Sequence, residues 1–310
     1  MSDRTVLITN DVETTSIVNH RLDDGTARYV VEQGLPRLLD LYASHGVRAT
    51  FFFTGRIARL YPDAVRRVHS LGHEVGSHGL THEVDKAFDT MPRAMQLDHL
   101  VQSKHLLEDI VGSDVVAFRA PALRVDKGFA AVLKEAGFLI DSSVASQRLD
   151  MFFSFGSLGK LNWLRSPRHA YLTSSADIYR RGTDGVFEVP VSAFAFPYIG
   201  TFMRIAPLLN RTTRRLLHLE AMATGRQFVF LTHPNEFIDE PRDGNAIDRR
   251  AKSWLAYLMG DLLRHALKVR NLGAQALPLL EHELAFFDGY GYKYHTCSDL
   301  YNQYLNTHAQ

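Results

Sequence analysis

Short apolar runs alternate with longer segments of helical periodicity along most of this chain. The run 5–9 is β-branched and apolar throughout, which is typical of a strand buried on both faces. From 27 to 45 the apolar residues recur at helical spacing, and Gly46 follows as a stop signal. Strand and helix alternating at this pitch predict an α/β fold whose parallel strands are joined by helical crossovers.

The same alternation predicts further strands and helices. The predicted strands are 49–55, 73–78, 115–118, 138–140, 186–191 and 227–232. The predicted helices are 57–71, 91–111, 127–136, 203–222, 247–271 and 277–287. Between about 144 and 185 the alternation is lost, so we expect an insertion after the fifth strand. If the parallel strands close into a barrel, this insertion would lie near the mouth of the barrel. The chain, 1–310, is otherwise predicted to form one domain.

Polar residues able to do chemistry follow the predicted strands at their C-terminal ends. Asp11 and Glu13 come first, and alternation along a continuing strand would put both acids on one side. His78 and His82 would lie on one face of a helical turn, so their imidazoles could converge on one cation. Later strands are followed by Arg119, Asp141 and His233. Parallel α/β barrels keep their active sites at this end of the strands.

This set of residues can support metal-assisted hydrolysis. Two histidines and one carboxylate are a familiar ligand set for a divalent metal, with positions left for water and substrate. A second carboxylate could take a proton from the water, whose pKa falls to about 7 on zinc. A further histidine could protonate a leaving amine, and an arginine would orient the base. The histidine pair alone fits ordinary core or surface residues equally well, but its recurrence with acids at successive strand ends favours a site.

Five segments of the chain resemble the motifs of the polysaccharide deacetylase family, also called NodB-homology or carbohydrate esterase family 4 proteins. The segments are Thr-Asn-Asp-Val-Glu at 9–13, Gly-His-Glu-Val-Gly-Ser-His at 72–78 with the histidine at 82, Arg-Ala-Pro at 119–121, Ile-Asp-Ser-Ser at 140–143 and Leu-Thr-His-Pro at 231–234. The resemblance implies a distorted (β/α) barrel of seven or eight parallel strands. It also implies hydrolysis of an N- or O-acyl group from a sugar.

Carried over by position, the resemblance implies a role for each site residue. It makes His78 and His82 metal ligands, and it makes Arg119 the residue that orients the catalytic base. It makes His233 the general acid and Asp141 the residue that positions and charges His233. The expected cofactor is a divalent metal ion, zinc first, with cobalt, nickel and manganese as the other candidates.

The first motif leaves two registers open. The commonest pattern has two adjacent aspartates as base and ligand, but here the adjacent pair is Asn10 and Asp11, and asparagine cannot act as a base. If the two acids are spaced by one residue, Asp11 is the base and Glu13 is the third metal ligand. We prefer this register because it keeps both functions. If Asp11 is the ligand instead, the chain lacks an ordinary base.

Composition excludes several other classes of protein. A formal net charge of +1 gives no electrostatic case for nucleic acid binding. Cys297 is the single cysteine, which excludes an intramolecular disulfide framework and a multi-thiolate zinc site. No stretch approaches the ~20 apolar residues of a membrane helix. Acids follow the first apolar run at once, so we expect a cytoplasmic protein. Nothing in the sequence predicts an oligomeric state.

The predicted function is a metal-dependent hydrolase that removes an acetyl or formyl group from the nitrogen of an amino sugar, in a nucleotide- or lipid-linked glycan precursor. One alternative is a metal-independent cyclic-amide hydrolase of the allantoinase type. Another is a sugar-binding or scaffold protein without catalysis. In that case sugar rings would stack on aromatic residues of the insertion, namely Phe152, Phe153, Phe155, Trp163 and Tyr171.

The segment 203–215 raises the question of peripheral membrane contact. It carries four arginines interleaved with leucine, isoleucine and methionine, a composition that suits an anionic membrane surface. An ordinary barrel helix with a solvated basic face fits the same residues, and from the sequence we favour it.

Overall fold

The computed structural model describes residues 4–18, 22–83, 87–148, 158–241 and 263–308. Within these residues a curled, mostly parallel sheet runs in the order β10-β1-β2-β3-β4-β5-β7-β6, and β11 also pairs with β1. The strands are β1 Thr5–Val12, β2 Thr50–Phe53, β3 Glu74–Ser77, β4 Ala117–Phe118, β5 Ile140–Asp141, β6 Tyr171–Leu172, β7 Phe187–Glu188, β8 Ala193–Phe194, β9 Phe196–Pro197, β10 Phe228–Thr232 and β11 Lys293–Tyr294. All neighbours in the path are parallel except β6 and β7, and β8 and β9 form a separate antiparallel hairpin. The predicted α/β barrel of seven or eight parallel strands is confirmed.

Helices connect these strands as the sequence predicts, although the predicted helices 57–71 and 203–222 are each split in two. The helices are α1 Asp24–Tyr29, α2 Leu35–Ser44, α3 Gly55–Leu60, α4 Pro62–Ser70, α5 Arg93–Val111, α6 Phe129–Glu135, α7 Gly200–Ile205, α8 Pro207–Thr224, α9 Leu263–Lys268, α10 Leu277–Gly289 and α11 Cys297–His308. Within the predicted helix 27–45, a π-helical turn, Val30–Gly34, joins α1 to α2. Pro62 begins α4 and Pro207 begins α8, because proline lacks the N–H that a continuous helix needs and is tolerated in the first turn. Most of the predicted helix 247–271 lies outside the described residues.

The segment that follows β7 contacts β10, the strand at the other end of the sheet order. The backbone N–H of Ser192 donates to the carbonyl of Val229 at 3.0 Å, and the Val229 N–H donates to the Ser192 hydroxyl at 2.9 Å. A parallel bridge between Ile199 and Leu231 continues this contact. These contacts replace regular strand pairing on that side, so the barrel is distorted.

Alternating side chains divide the core into an outer and an inner part. On β1, Val6, Ile8 and Val12 pack outward in the large cluster beneath the helices, whereas Leu7 faces the inner cluster. Phe52 is also inward, and helix α11 contributes the buried Cys297 to the same inner cluster. The inner cluster thus fills one end of the barrel and leaves the C-terminal ends of the strands for polar residues.

Glu74 ties β3 to the start of α11. Its carboxylate accepts backbone N–H groups from Cys297 at 2.8 Å and Ser298 at 3.2 Å. These are first-turn donors that have no partner within a helix, and a carboxylate there also complements the helix dipole. A glutamate at the start of a strand gave no sign of this contact in the sequence.

The described part of the insertion joins the edge of the sheet. Strand β6 lies in it and pairs antiparallel with β7. Of the aromatic residues named above, Trp163 and Tyr171 are buried, whereas the three phenylalanines lie outside the described residues. Among the helices that the structure describes, none combines the length and the apolar composition needed to cross a lipid bilayer.

Candidate metal and hydrolytic site

Strand β1 and the residue that follows it place Asp11 and Glu13 on the side opposite to the Asn10 side chain. Asp11 and Glu13 are both buried and both point toward the histidines and arginine that follow other strands. The Asn10 side chain points to the helix side, where its Oδ1 accepts the hydroxyl of Tyr42 at 2.8 Å. The alternation expected for a strand therefore holds, and Asn10 is outside the site.

Glu13, His78 and His82 form a candidate metal centre. One ligand atom from each lies within 4.8 Å of those of the other two. Glu13 Oε2 is 2.9 Å from His82 Nε2. His78 Nδ1 lies 2.7 Å from the backbone carbonyl of Arg119, so this nitrogen carries the proton and Nε2 keeps its lone pair. The structure brings together the three residues that were predicted as ligands.

The predicted helical turn between the two histidines is wrong. Strand β3 ends at Ser77, and the described residues after it, 78–83, are not helical. Gly79 adopts a left-handed φ of +71°, and the carbonyls of Gly79 and Leu80 accept the first N–H groups of α3 at 2.8 and 2.9 Å. Capping the helix in this way holds the loop in an irregular path. The imidazole centroids are 5.8 Å apart because of that path, not because of helical spacing.

Arg119 is a fully buried residue that fixes Asp11. Its Nη1 donates to Asp11 Oδ1 at 3.0 Å and to the Thr9 hydroxyl at 2.8 Å. Its Nε and Nη2 bond to the carbonyl and hydroxyl of Ser142, and its guanidinium lies 4.4 Å from the centroid of the Phe52 ring. Asp11 Oδ1 is therefore occupied, whereas Oδ2 faces the site.

His233 lies on the other side of Asp11. Its Nε2 is 3.9 Å from Asp11 Oδ2, and His78 Nε2 is 3.8 Å from the same oxygen. A 3₁₀ turn, Pro234–Phe237, begins directly after His233 and closes a capping box with Glu236. The Asp11 oxygen that Arg119 leaves free therefore lies between a candidate metal ligand and a second imidazole.

The predicted contact between Asp141 and His233 is wrong. Asp141 is buried, and its carboxylate accepts the Ser143 hydroxyl at 2.6 Å and the Ser143 N–H at 3.3 Å. Across the strand pair it faces Glu188 on β7. Within the described residues it makes no hydrogen bond or ion pair to His233. Its acceptor positions are used by its own loop and by the neighbouring strand.

Two acids in the neighbourhood of the site were missed by the sequence analysis. Glu188 is fully buried beside Asp141, and burial followed by the Asp141 charge raises its pKa well above the usual range. Glu236 is fully buried, and its carboxylate accepts the hydroxyls of Thr201 at 2.6 Å and Thr232 at 2.7 Å. An acid inside an otherwise apolar strand was the signal for Glu188. An acid three residues after a strand-end residue was the capping-box signal for Glu236.

The electrostatics of the three clustered residues fit cation binding. Burial opposes ionisation of Glu13, but His82 and the other histidines outweigh it and lower the Glu13 pKa to about 2. Burial likewise opposes charging of His82, but Glu13 raises the His82 pKa to about 9. Burial lowers the pKa of His78, which favours the neutral ring that ligates metals. An anionic carboxylate thus lies beside two imidazoles. His78 offers the free lone pair of its Nε2, and His82 can give up a proton where a cation takes its place.

The donor set fits a divalent metal of intermediate hardness. Two imidazole nitrogens and one carboxylate oxygen suit zinc and its first-row neighbours, and they leave positions open. His78 already has the hydrogen bond from its other nitrogen that ligating histidines usually make. The fold and this site define the molecule as a (β/α)-barrel protein with a candidate divalent-metal centre at the C-terminal ends of its strands.

Part of the chain matches the model of a known protein family. Residues 12–140 match the model of the polysaccharide deacetylase family, so the resemblance predicted from the motifs is confirmed over this segment. The matched segment contains Glu13, His78, His82 and Arg119.

Curated relatives support the same assignment over part of their length. A peptidoglycan deacetylase of Helicobacter pylori is 31% identical over 113 residues, which are 36% of this chain and 38% of the relative. A chitin deacetylase of Colletotrichum lindemuthianum is 31% identical over 128 residues, which are 39% of this chain and 48% of the relative. The chain thus spans less than half the length of these relatives in the matched regions.

Solved structures share the fold across nearly the whole chain. A Mycobacterium smegmatis structure assigned as a polysaccharide deacetylase aligns with a TM-score of 0.54 at 18% identity and covers 93% of both chains. PuuE allantoinase aligns with a TM-score of 0.62 at 13% identity and covers 98% of this chain and 92% of that one. At these identities the likeness shows the fold.

Proposed function

We propose that this protein is a metal-dependent hydrolase that removes an N-acyl group from an amino sugar. The observation that carries the proposal is the cluster of Glu13, His78 and His82, whose ligand atoms lie within 4.8 Å beside the Asp11–Arg119 pair. The match of residues 12–140 to the polysaccharide deacetylase family supports the sugar amide as substrate. Names of the relatives refer to N-acetylated glycans such as chitin and peptidoglycan.

The residues in and around the cluster have separate roles in the proposed amide hydrolysis. Glu13, His78 and His82 would hold the cation, which supplies Lewis acidity and activates water when it is bound. Arg119 holds Asp11 Oδ1, so Oδ2 is the oxygen that takes the proton of the attacking water. His233 Nε2, 3.9 Å from that oxygen, donates a proton to the departing amine. One carboxylate and one imidazole thus handle the two proton transfers.

Metal analysis and chelation test the proposal. We expect the purified protein to contain a divalent metal, and we expect release of acetate or formate from N-acylated aminosugar oligomers to stop after chelation. Readdition of zinc or cobalt should restore it. Asp63→Asn, which changes an exposed acid on α4, is a suitable control for general effects of substitution. Turnover that survives complete metal removal would contradict the proposal and favour a metal-independent amide hydrolase.

We further propose that the substrate is a nucleotide- or lipid-linked glycan precursor and that the protein acts in the cytoplasm. We infer a precursor substrate because we expect the protein to act in the cytoplasm. The cytoplasmic location is itself a prediction, and cell fractionation tests it. Comparison of turnover on nucleotide-linked, lipid-linked and free N-acylated sugars tests the substrate. Equal or better turnover on free polymer would contradict this part of the proposal and leave the metal-dependent chemistry untouched.

A further inference from the structure

Helix α8 buries polar side chains together with Leu217 and Ala221, and it exposes large apolar side chains. Its buried face carries Asn210 and Arg214, and the Arg214 guanidinium pairs with the buried Glu283 at 3.1 Å. Its solvent face carries five large apolar side chains, which we call the α8 stripe. The stripe consists of Leu208, Leu209, Leu216, Leu219 and Met222. Surface helices of globular proteins normally place such residues against the core.

The exposure of the stripe is large. Leu208 is 77% exposed, Leu219 is 64% exposed and Met222 is 51% exposed. Single exposed leucines are ordinary, but a row of them along one helix is a mark of an interaction surface. The solvent face predicted for this helix does carry arginine, and the structure adds large exposed apolar side chains to the same face.

The charge around the stripe is positive. Arg215 is exposed and Arg211 is partly exposed, and neither makes an ion pair within the described residues. The helix has one acidic residue, Glu220, and both of its oxygens are bonded to Arg168, while one is also bonded to Arg226 at 2.7 Å. The stripe thus combines apolar side chains with two guanidinium groups that have no ion-pair partner among the residues that the structure describes.

The β8–β9 hairpin packs against α8 and adds exposed aromatic residues. Phe194 and Phe196 on this hairpin are 44% and 39% exposed. The ring of Phe196 stacks on Phe202 of α7, with centroids 5.3 Å apart. Aromatic and leucine side chains beside arginines are the composition of segments that lie at a membrane interface.

We infer that the α8 stripe is a docking surface for an anionic lipid membrane, with the helix lying in the plane of the headgroups. Apolar side chains would enter the acyl boundary, and Arg211 and Arg215 would contact lipid phosphates. A second copy of this chain is a poorer occupant. A two-fold contact would place the stripe against itself and bring the same two arginines face to face. This inference is independent of the proposed hydrolytic activity.

Vesicle co-sedimentation of the full chain tests the inference. At low salt we expect the protein to pellet with vesicles of phosphatidylglycerol and phosphatidylcholine, and to stay in the supernatant with phosphatidylcholine alone. The double variant L208S/L219S should lose about tenfold or more in vesicle affinity, because two leucines no longer bury apolar surface. The variant R211Q/R215Q should also lose about tenfold, and that part should vanish at high salt.

The control is L71S, since Leu71 is 54% exposed but lies at the end of α4. It should bind like the parent, and circular dichroism should show all variants folded. Failure of the parent to pellet with anionic vesicles would overturn the inference. Equal binding by L208S/L219S and the parent would overturn it as well. A concentration-dependent dimer in sedimentation velocity, abolished by L208S/L219S, would assign the stripe to a second copy instead.

Discussion

Arg119 is the residue whose contacts hold the two halves of the site together. It links Thr9 and Asp11 on β1 with Ser142 after β5, and it is fully buried. Lysine would keep the positive charge but would lose the planar fork that serves these acceptors at once.

We therefore expect Arg119→Lys to lower the free energy of unfolding by about 2–4 kcal/mol, because buried acceptors lose their donors. Hydrolytic turnover should fall as well, since Asp11 loses its orientation. Urea denaturation measures the stability, with the exposed Arg66→Lys as the matched control. A stability loss no larger than that of the control would contradict the prediction.

His73 is a structural residue rather than a ligand. Its Nδ1 accepts the Ala49 N–H at 3.2 Å, which requires the neutral ring. Burial, followed by the charge of Arg48, lowers the pKa of His73 from 6.5 to about 4. Below pH 6.5 the His73 imidazole is protonated in the unfolded chain but stays neutral in the folded protein. The free energy of unfolding therefore decreases as pH falls from 6.5 to 4.

We expect this residue to remove about 2–3 kcal/mol of stability across that interval. Asparagine can accept the same hydrogen bond but does not titrate, so His73→Asn should show a correspondingly smaller loss. Chemical denaturation of both proteins at pH 7 and pH 4 measures the difference. Identical pH profiles for the two proteins would show that His73 does not titrate as described.

At the scale of elements, strands β2, β3 and β4 approach too closely at Gly76 for any side chain there. A Cβ at this position would lie 2.6 Å from a ring carbon of Phe52 and 3.0 Å from the carbonyl oxygen of Ala117. The Phe52 side chain packs in the inner cluster, and the Arg119 guanidinium lies over its ring. The adjacent strand cannot give way without disturbing the site.

Gly76→Ala should therefore destabilise the protein by about 1–3 kcal/mol through overpacking. Gly289, at the end of α10, is the matched control because nothing lies within 4 Å of its Cβ position. Gly289→Ala should be neutral or stabilising by up to about 1 kcal/mol. Thermal unfolding compares the two, and equal melting temperatures would contradict the packing argument.

The contact between Glu74 and α11 is the second element-scale test. Glu74→Ala removes the acceptor for two first-turn N–H groups, so we expect a loss of about 1–3 kcal/mol in unfolding free energy. Metal content should be unchanged because the residue lies at the opposite end of β3 from His78. The exposed Glu135→Ala should leave both stability and metal content as they are. A metal loss with Glu74→Ala would contradict this separation.

At the scale of the whole molecule, the sequence predicted the parallel sheet and the strand-end residues that meet around Glu13. Periodicity was sufficient for this, because the C-terminal ends of parallel strands must share one edge. The loop after His78 could not be predicted, since its path depends on carbonyls that cap α3. The partner of Asp141 is set by its neighbour in the sheet, Glu188, which lies 47 positions further along the chain. Long-range contacts of this kind leave no local pattern.

The orientation of α8 was likewise beyond the sequence. Its arginines and leucines are both at helical spacing, so either face could have been buried. The buried pair between Arg214 and Glu283 lies on the inner face beside Leu217, while Leu208, Leu209, Leu216 and Leu219 lie on the outer face.

The central claim is that Glu13 ligates the metal while Asp11 acts as the base. Metal content and turnover of Glu13→Gln and Asp11→Asn, measured on the same preparations, test it most directly. We predict that Glu13→Gln loses the metal. Asp11→Asn should keep the metal and lose turnover by about 10²–10⁴-fold. An Asp11→Asn variant that loses the metal, beside a Glu13→Gln variant that retains it, would contradict the account.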